Sequence, residues 1–209
     1  MRNVSRRKFV KDSFSATMAV GLVNPLTAGA GNDIQQKPSV KAGIIGTGGR
    51  GTHLMSELLK MDDVEIVAVC DLSKQKAENA ASICKQTKNQ QTKVYSGDQK
   101  TYLEMLDNEK LDVVIIATYW DSHASIALDA MKRGVYPGIE VPAALTLDHC
   151  WELTETSEKT GIPCMMLENW SFRRDNLAVL NMIRGGLFGD IVHSHCAHSH
   201  DCIDHWFFD

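Results

Sequence analysis

Apolar runs alternate with amphipathic stretches along residues 40–169, and this alternation predicts strands and helices. Short apolar runs typical of buried strands occupy residues 42–45, 64–70, 111–117, 135–139 and 162–167, with a weaker strand around Val94. Helical spacing is found in residues 52–59, 73–85, 100–106, 146–159 and 173–184, and another helix begins within residues 118–123 and runs to Arg133. The pattern predicts an α/β fold with a doubly wound parallel sheet.

Glycine and threonine residues mark several of the predicted helix ends. Gly134 and Gly161 are expected to stop two helices, and Thr146 is expected to be the N-cap of the second of these. After the pair Gly185-Gly186, residues 190–198 alternate in a way that predicts the first strand of a further unit. We therefore expect a Rossmann domain over residues 40–169 and only the start of an α+β substrate domain over residues 170–209.

A glycine-rich turn joins the first predicted strand to the first predicted helix. It reads Gly46-x-Gly48-x-x-Gly51 and includes Gly49 and Arg50. In the dinucleotide fingerprint the first glycine permits the tight turn, the second lets the backbone approach a pyrophosphate, and the third lets helix and strand pack closely. A lone motif of this kind is weak, but here it lies between a strand and a helix pattern, as the fingerprint requires.

Asp71 ends the second predicted strand, roughly twenty residues after the last glycine, where the fingerprint has an acid for the ribose hydroxyls. Its charge would repel a 2′-phosphate, so the sequence favours NAD over NADP, although Lys74 lies close by in the sequence.

The predicted strands are followed by the candidate site residues, namely the glycine turn, Asp71, residues 118–123 and Glu140. Because ligands bind at the carboxyl ends of parallel strands, we expect these residues along one crevice.

Composition and the N-terminus bear on partners and location. A net charge of −4 gives no reason to expect nucleic acid or an anionic membrane as a partner. Residues 1–30 carry the pair Arg6-Arg7, a modest apolar region and the small residues Ala28-Gly29-Ala30, which together predict a twin-arginine signal peptide. Residues 31–39 are then a linker. We expect export to the periplasm or the extracellular space, and no membrane partner once the signal is removed.

The cysteines and histidines leave several interpretations open. The six cysteines contain no C-x-x-C pair and do not predict a disulfide framework. Near the C-terminus, cysteine and histidine residues alternate so that on a strand they would share one face. These residue types bind metals, but their spacing is not that of a structural zinc site. A substrate-facing cluster is favoured over a metal site, and ordinary exposed residues are the third interpretation. The residues concerned are Cys196, His198, His200 and Cys202.

Several motifs together resemble the glucose-fructose oxidoreductase-like (Gfo/Idh/MocA) family, and within it glycoside hydrolase family 109, the NAD-dependent α-N-acetylgalactosaminidases. The resemblance is specific for the larger family and less so for the glycosidase branch, and it covers the dinucleotide domain and the opening of the second domain. The motifs are Gly46-Thr-Gly-Gly-Arg-Gly51, Trp120-Asp-Ser-His123, Glu140-Val-Pro142, Glu168-Asn169 followed by Phe172-Arg-Arg-Asp175, and Leu187-Phe-Gly189 leading to His198-Ser-His-Asp201.

The resemblance implies contacts for a bound NAD and for a sugar. It implies NAD contacts at Gly49, Arg50 and Asp71, at Trp120, Asp121, Ser122 and His123 beside the dinucleotide, and at Glu140, Val141 and Asn169 near the nicotinamide. His198 falls where the glycosidases have a tyrosine that contacts substrate. His200 and Asp201 are the candidate catalytic residues. No metal is expected. A homo-oligomer that assembles through the second domain is one possible partner arrangement.

The family mechanism implied is an oxidation-assisted elimination without net oxidation. The C3 hydroxyl of the sugar is oxidised to a ketone, a base removes the acidified C2 proton, the glycosidic oxygen leaves from C1, water adds, and the hydride returns. The chain departs from the family pattern twice. It has Glu140-Val141-Pro142 where dehydrogenases have Glu-Lys-Pro, and it has Phe172 where the glycosidases have a tyrosine.

Two alternatives accompany the glycosidase interpretation. One is a sugar or inositol dehydrogenase of the same larger family, which would form NADH with a free sugar. The other is a cofactor-binding fragment without activity, because a member of this family needs a whole second domain.

Overall fold

The structure is a computed structural model, and it describes residues 39–197 and residue 199. The predicted signal peptide lies outside the described residues, as does the linker apart from Ser39. His198, His200 and Asp201 lie outside them too, together with Cys202 and the rest of the C-terminus.

Six parallel strands form one sheet, as the strand–helix alternation predicts. The strands are β1 (Val40–Ile45), β2 (Val64–Asp71), β3 (Lys93–Ser96), β4 (Val113–Ile116), β5 (Tyr136–Ile139) and β6 (Met165–Met166). Their order across the sheet is β3-β2-β1-β4-β5-β6, and every adjacent pair is parallel. The direction of winding reverses between β1 and β4, which is where ligands bind in doubly wound sheets. The predicted fold class is confirmed.

The helices and one short turn connect and follow the strands. They are α1 (Gly49–Leu58), α2 (Lys74–Lys88), α3 (Thr101–Asn108), α4 (Trp120–Lys132), α5 (Leu147–Thr160), the 3₁₀ turn Trp170–Phe172 and α6 (Arg174–Arg184). The Thr146 hydroxyl accepts a hydrogen bond from the His149 N–H at 3.1 Å, and Gly161 ends α5 with φ of +72°. The predicted boundaries of α5 are therefore confirmed. In the described part of the chain, no helix combines the length and hydropathy that crossing a bilayer requires.

The core consists of two apolar clusters, one on each face of the sheet. Ile44 belongs to one cluster and Ile45 to the other, as expected for neighbours on a strand, whose side chains point to opposite faces. Met55 of α1 and Cys84 of α2 pack on the face with Ile44, while Met105 of α3 and Ala127 of α4 pack on the opposite face. This double cover explains why the central strands are apolar throughout.

The C-terminal segment differs from its sequence pattern. Residues 191–197 are not in a strand, so the predicted strand over residues 190–198 is wrong for its described part. A strand needs a neighbour to accept and donate its backbone hydrogen bonds, and among the described residues no strand pairs with this segment. The amphipathic helix α6 is present, but none of its residues is buried. The division into domains at residue 169 stays a prediction.

Candidate cofactor-binding site

The turn between β1 and α1 is shaped by two glycines. Gly46 has φ of +86°, and a Cβ there would lie 2.5 Å from the carbonyl oxygen of Ala117 on the neighbouring segment. A Cβ on Gly51 would lie 1.8 Å from the carbonyl oxygen of Gly46. Both positions therefore exclude any side chain, the first by conformation and contact and the second by contact. The mechanical roles expected for these two glycines are confirmed.

The start of α1 is open to a ligand. Gly48 is the N-cap of α1, and no side chain caps the helix. A Cβ on Gly48 or on Gly49 would meet nothing within 4 Å. The first N–H groups of a helix lack intrahelical partners and attract anions. The turn thus offers room and donors for a phosphate group, which is the fit that a dinucleotide requires.

A cleft of about 600 Å³ runs along the carboxyl edge of the sheet beside this turn. Gly46 and Gly48 line it from the turn after β1, Asp71 lines it from the end of β2, and Asp121 and Ser122 line it from the start of α4. The expected crevice is therefore present for these five predicted residues. Thr118 and Tyr119, which the sequence also placed along the crevice, line it as well. Further lining residues that the sequence did not indicate are Ser73, Lys76, Asp98, Lys100 and Tyr102.

Asp71 is held by three hydrogen bonds in the cleft wall. Its Oδ2 accepts from the backbone N–H of Thr47 at 2.7 Å and from the hydroxyl of Thr47 at 3.0 Å. Its Oδ1 accepts from the backbone N–H of Ser73 at 2.8 Å. Each partner donates, which suits an ionised carboxylate that only accepts. The side chain is only partly buried, so the carboxylate can accept a further hydroxyl from the cleft.

Arg50 and Glu140 form an ion pair across the switch point. Nε and one terminal nitrogen of Arg50 lie 2.7 Å and 2.6 Å from Oε1 of Glu140. The Glu140 side chain is 9% exposed, and its Oε2 accepts from the backbone N–H of Val141 at 3.2 Å. The two residues that the family resemblance assigned separately to NAD are thus joined to each other. They tie the glycine turn to the end of β5.

His123 is buried and does not line the cleft. Its Nδ1 lies 2.8 Å from the carbonyl oxygen of Pro142, and its Nε2 lies 3.0 Å from the carbonyl oxygen of Thr118. The residue is 1% exposed. The ring therefore joins the start of α4 to the loop after β5, and in this structure it positions the cleft wall instead of reaching into the cleft.

The remaining predicted contacts lie near the same edge but outside the cleft lining. Trp120 is 59% exposed at the first position of α4, and Val141 is 41% exposed after β5. Asn169 is exposed and precedes the 3₁₀ turn. Gly49 and Arg50 are exposed and do not line the cleft. The structure therefore assembles the adenosine end of the predicted site more completely than the nicotinamide end.

Thr47 holds Asp71, and the sequence did not indicate this contact. Thr47 occupies a variable position of the fingerprint, where the motif carries no information on residue type. Its contact with Asp71 spans 24 residues and depends on β1 and β2 being neighbours. Two further hydroxyls, Thr118 Oγ1 and Ser122 Oγ, lie 2.7 Å apart on residues that line the cleft.

Cysteine and metal chemistry have little support in the described residues. Cys70 lines the cleft, but burial, with a contribution from the Asp71 charge, raises its pKa to about 12, so it is a neutral thiol at physiological pH. Within residues 39–197 and 199, no group of three or more His, Cys, Asp or Glu side chains could hold a metal ion. The interpretations of Cys196, His198, His200 and Cys202 stay predictions, because all but Cys196 lie outside this range.

The chain matches two family descriptions in succession. Residues 40–168 match the oxidoreductase family with an NAD-binding Rossmann fold (Gfo/Idh/MocA), and residues 172–209 match the C-terminal domain of glycosyl hydrolase 109. The first match ends within one residue of the predicted end of the Rossmann domain. The second begins at Phe172.

Curated relatives and solved structures are similar over most of this chain. A glycosyl hydrolase family 109 protein from Shewanella sp. strain W3-18-1 is 35% identical over 96% of this chain and 47% of its own length. An α-N-acetylgalactosaminidase from Shewanella oneidensis is 34% identical over the same shares. The chain therefore spans about half the length of the curated relatives it matches. A myo-inositol dehydrogenase from Lactobacillus casei, solved with NAD(H) and myo-inositol, has a TM-score of 0.64 at 23% identity over 72% of this chain and 43% of its own, a likeness of fold.

Proposed function

Because this chain belongs to the Gfo/Idh/MocA oxidoreductase family, whose cofactor is NAD, we propose that it is the cofactor-binding part of an exported glycosidase of the family 109 type. The family 109 match over residues 172–209, immediately after the NAD-binding region, is the observation that favours the glycosidase over a dehydrogenase. The substrate class is then an α-linked N-acetylgalactosaminide or a related amino-sugar glycoside.

The cleft wall has the groups that an NAD molecule needs. The N–H groups at the start of α1 face the space beside Gly48 and suit the pyrophosphate. Asp71 suits the adenosine ribose hydroxyls, and its charge disfavours a 2′-phosphate, so NAD is preferred over NADP. When bound, NAD supplies a reversible hydride acceptor, which is the chemistry that a transient oxidation at sugar C3 requires.

The nicotinamide and sugar ends of the proposed site combine residues at the edge of the sheet with residues near the C-terminus. Arg50, Glu140 and His123 hold the turn, the end of β5 and the start of α4 together, and so orient the edge of the sheet where a nicotinamide would lie. His198 is proposed to contact the sugar, and His200 and Asp201 are proposed as candidates for the proton transfers. Phe172 has no titratable group, so the base must be a different residue from the tyrosine of the family pattern.

The reaction type can be tested on the full-length protein. It is incubated in D2O with an aryl α-N-acetylgalactosaminide, and the released sugar is examined for deuterium at C2. Elimination after C3 oxidation requires exchange at C2, so release with deuterium is expected. Release without deuterium would contradict the mechanism. NADH formation with free sugar and no release would instead support the dehydrogenase.

Export by the twin-arginine route is a separate part of the proposal. It rests on Arg6 and Arg7 and on the small residues before residue 31. Changing both arginines to lysine should keep the full-length protein in the cytoplasm, as measured by fractionation. An unchanged distribution would contradict this route.

A further inference from the structure

We propose that Thr47 is a positioning residue that sets the preference for NAD over NADP by holding the Asp71 carboxylate. The inference rests on the proposed NAD binding and extends it to a residue that the fingerprint leaves variable. Thr47 is 4% exposed, and it is one of the few buried polar residues among those described. Its backbone N–H and its hydroxyl both donate to the same oxygen of Asp71.

The geometry fixes the direction in which the carboxylate faces. With two bonds on Oδ2 and the Ser73 N–H on Oδ1, rotation of the carboxyl group would break at least one charge-assisted bond. An ionised carboxylate has about four lone-pair sites, and three are used here. What remains can accept a ribose hydroxyl from the cleft.

Thr47 is itself held in place by the turn. Gly46 before it has φ of +86°, and the Thr47 carbonyl oxygen accepts from the Thr52 hydroxyl at 3.0 Å. The backbone of Thr47 therefore cannot shift without disturbing the start of α1. A donor on so rigid a segment keeps Asp71 at one position relative to the phosphate-binding end of the turn.

The consequence is a difference between the two dinucleotides. A fixed, charged Asp71 accepts from a 2′-hydroxyl and repels a 2′-phosphate. Without the Thr47 hydroxyl, the carboxylate keeps the backbone bond but gains rotational freedom. Affinity for NAD then falls, and repulsion of NADP weakens because the charge can turn away. A purely structural role in the turn would weaken both ligands equally.

The test is calorimetric titration of NAD and of NADP into the full chain and its variants. Thr47→Val removes the hydroxyl with little change of shape, Thr47→Ala is a second variant in case the valine methyl groups strain the turn, and Thr47→Ser keeps the hydroxyl. Thr92→Val is the matched control, since the Thr92 hydroxyl donates to the Ile66 carbonyl at 2.8 Å and Thr92 does not line the cleft.

We expect Thr47→Val to raise the Kd for NAD about tenfold and to lower the ratio of the NADP Kd to the NAD Kd at least about tenfold. Thr47→Ser and Thr92→Val should keep the wild-type ratio. In an Asp71→Asn background, Thr47→Val should change the ratio no further.

Two results would overturn the inference. The first is an unchanged ratio in a folded Thr47→Val or Thr47→Ala protein, whether both affinities stay the same or fall equally. The second is a ratio that still changes when Asp71 is already asparagine. A wild-type protein that binds neither dinucleotide would instead remove the proposed function, and this inference with it.

Discussion

Asp71 and Glu140 are two carboxylates at the same edge of the sheet, and the turn between β1 and α1 holds both of them in different ways. Asp71 is bonded by neutral donors, lines the cleft and keeps part of its surface open. Glu140 is buried and paired with the charged Arg50. The first arrangement leaves an acceptor ready for a ligand, while the second joins two parts of the scaffold. Residues of one chemical type at equivalent strand ends therefore have different tasks.

The largest loss of stability is expected from a variant that displaces the turn between β1 and α1. Such a variant disturbs both the hydrogen bonds to Asp71 and the ion pair with Glu140. Gly51→Ala places a Cβ 1.8 Å from the Gly46 carbonyl oxygen, a backbone atom that cannot move aside cheaply. We expect a loss of about 4 kcal/mol or more in the free energy of unfolding, measured by urea denaturation, because overpacking against backbone exceeds the usual cost in cores.

Gly49→Ala is the control for that variant, because its Cβ would meet nothing within 4 Å. It should leave the stability unchanged or raise it by about 0.5 kcal/mol, as alanine favours a helix. Equal stability of the two alanine variants would contradict the close packing of α1 on the turn.

Breaking the Arg50–Glu140 pair should have the next largest effect on stability. Arg50→Met leaves the Glu140 carboxylate buried without its charged partner. Removal of one member of a fully buried pair costs roughly 3–5 kcal/mol, and since the Arg50 side chain is 41% exposed we expect about 2 kcal/mol. Adding Glu140→Gln should recover part of the loss, because no charge is then buried alone. A double variant no more stable than Arg50→Met would contradict a direct pairing.

Asp71→Asn should act mainly on binding. Asparagine keeps one acceptor oxygen but loses the charge, so it accepts less strongly from a ribose hydroxyl and no longer repels a 2′-phosphate. We expect the Kd for NAD to rise at least tenfold, which corresponds to about 1.4 kcal/mol, and the preference over NADP to shrink. Calorimetric titration measures both. An unchanged affinity for NAD would contradict a contact between Asp71 and the ligand.

The smallest effect is expected at Glu109, a carboxylate that does not line the cleft and serves as a reference. Burial raises the pKa of Glu109, but hydrogen bonds from Lys93 and Tyr95 outweigh burial and bring the pKa below its ordinary value of 4.5. A lowered folded-state pKa stabilises the protein above the unfolded value, and this stabilisation is lost as the pH falls through the folded value.

Tyr95→Phe removes one of these donors, and it should cost about 1 kcal/mol at pH 7 and clearly less at pH 3. Urea denaturation at the two pH values measures this. A cost that stays constant with pH would contradict a bond to the ionised carboxylate.

The wild-type protein should also lose stability above pH 10, because burial and the bond to Glu109 raise the pKa of Tyr95 to about 12.

Local sequence patterns were sufficient for most of the fold. Strand runs, the cap at Thr146 and the stop at Gly161 depend on periodicity and on backbone preferences within a few residues, which the sequence displays directly. The same is true of Gly46 and Gly51, whose spacing belongs to a compact motif. Asp71 could be predicted because its distance from that motif follows from the length of one helix and one strand.

Contacts between distant segments could not be predicted in this way. The bond from Thr47 spans 24 residues and the pair of Arg50 with Glu140 spans 90, so both depend on which strands are neighbours. The burial of His123 likewise follows from two carbonyl oxygens on separate loops. The predicted strand over residues 190–198 is wrong for its described part, because an alternating pattern forms a strand only beside a pairing partner.

The most direct test of a cofactor site beside the start of α1 is a calorimetric titration of the wild-type chain with NAD, repeated with the Gly48→Ala variant. A Cβ on Gly48 meets no protein atom within 4 Å, so it should leave folding intact while occupying the space beside the start of α1. We expect saturable one-to-one binding of NAD by the wild type and a loss of affinity of at least about tenfold in Gly48→Ala at equal stability. Equal affinity for NAD in both proteins, or no binding by the wild type, would contradict a cofactor site at this edge of the sheet.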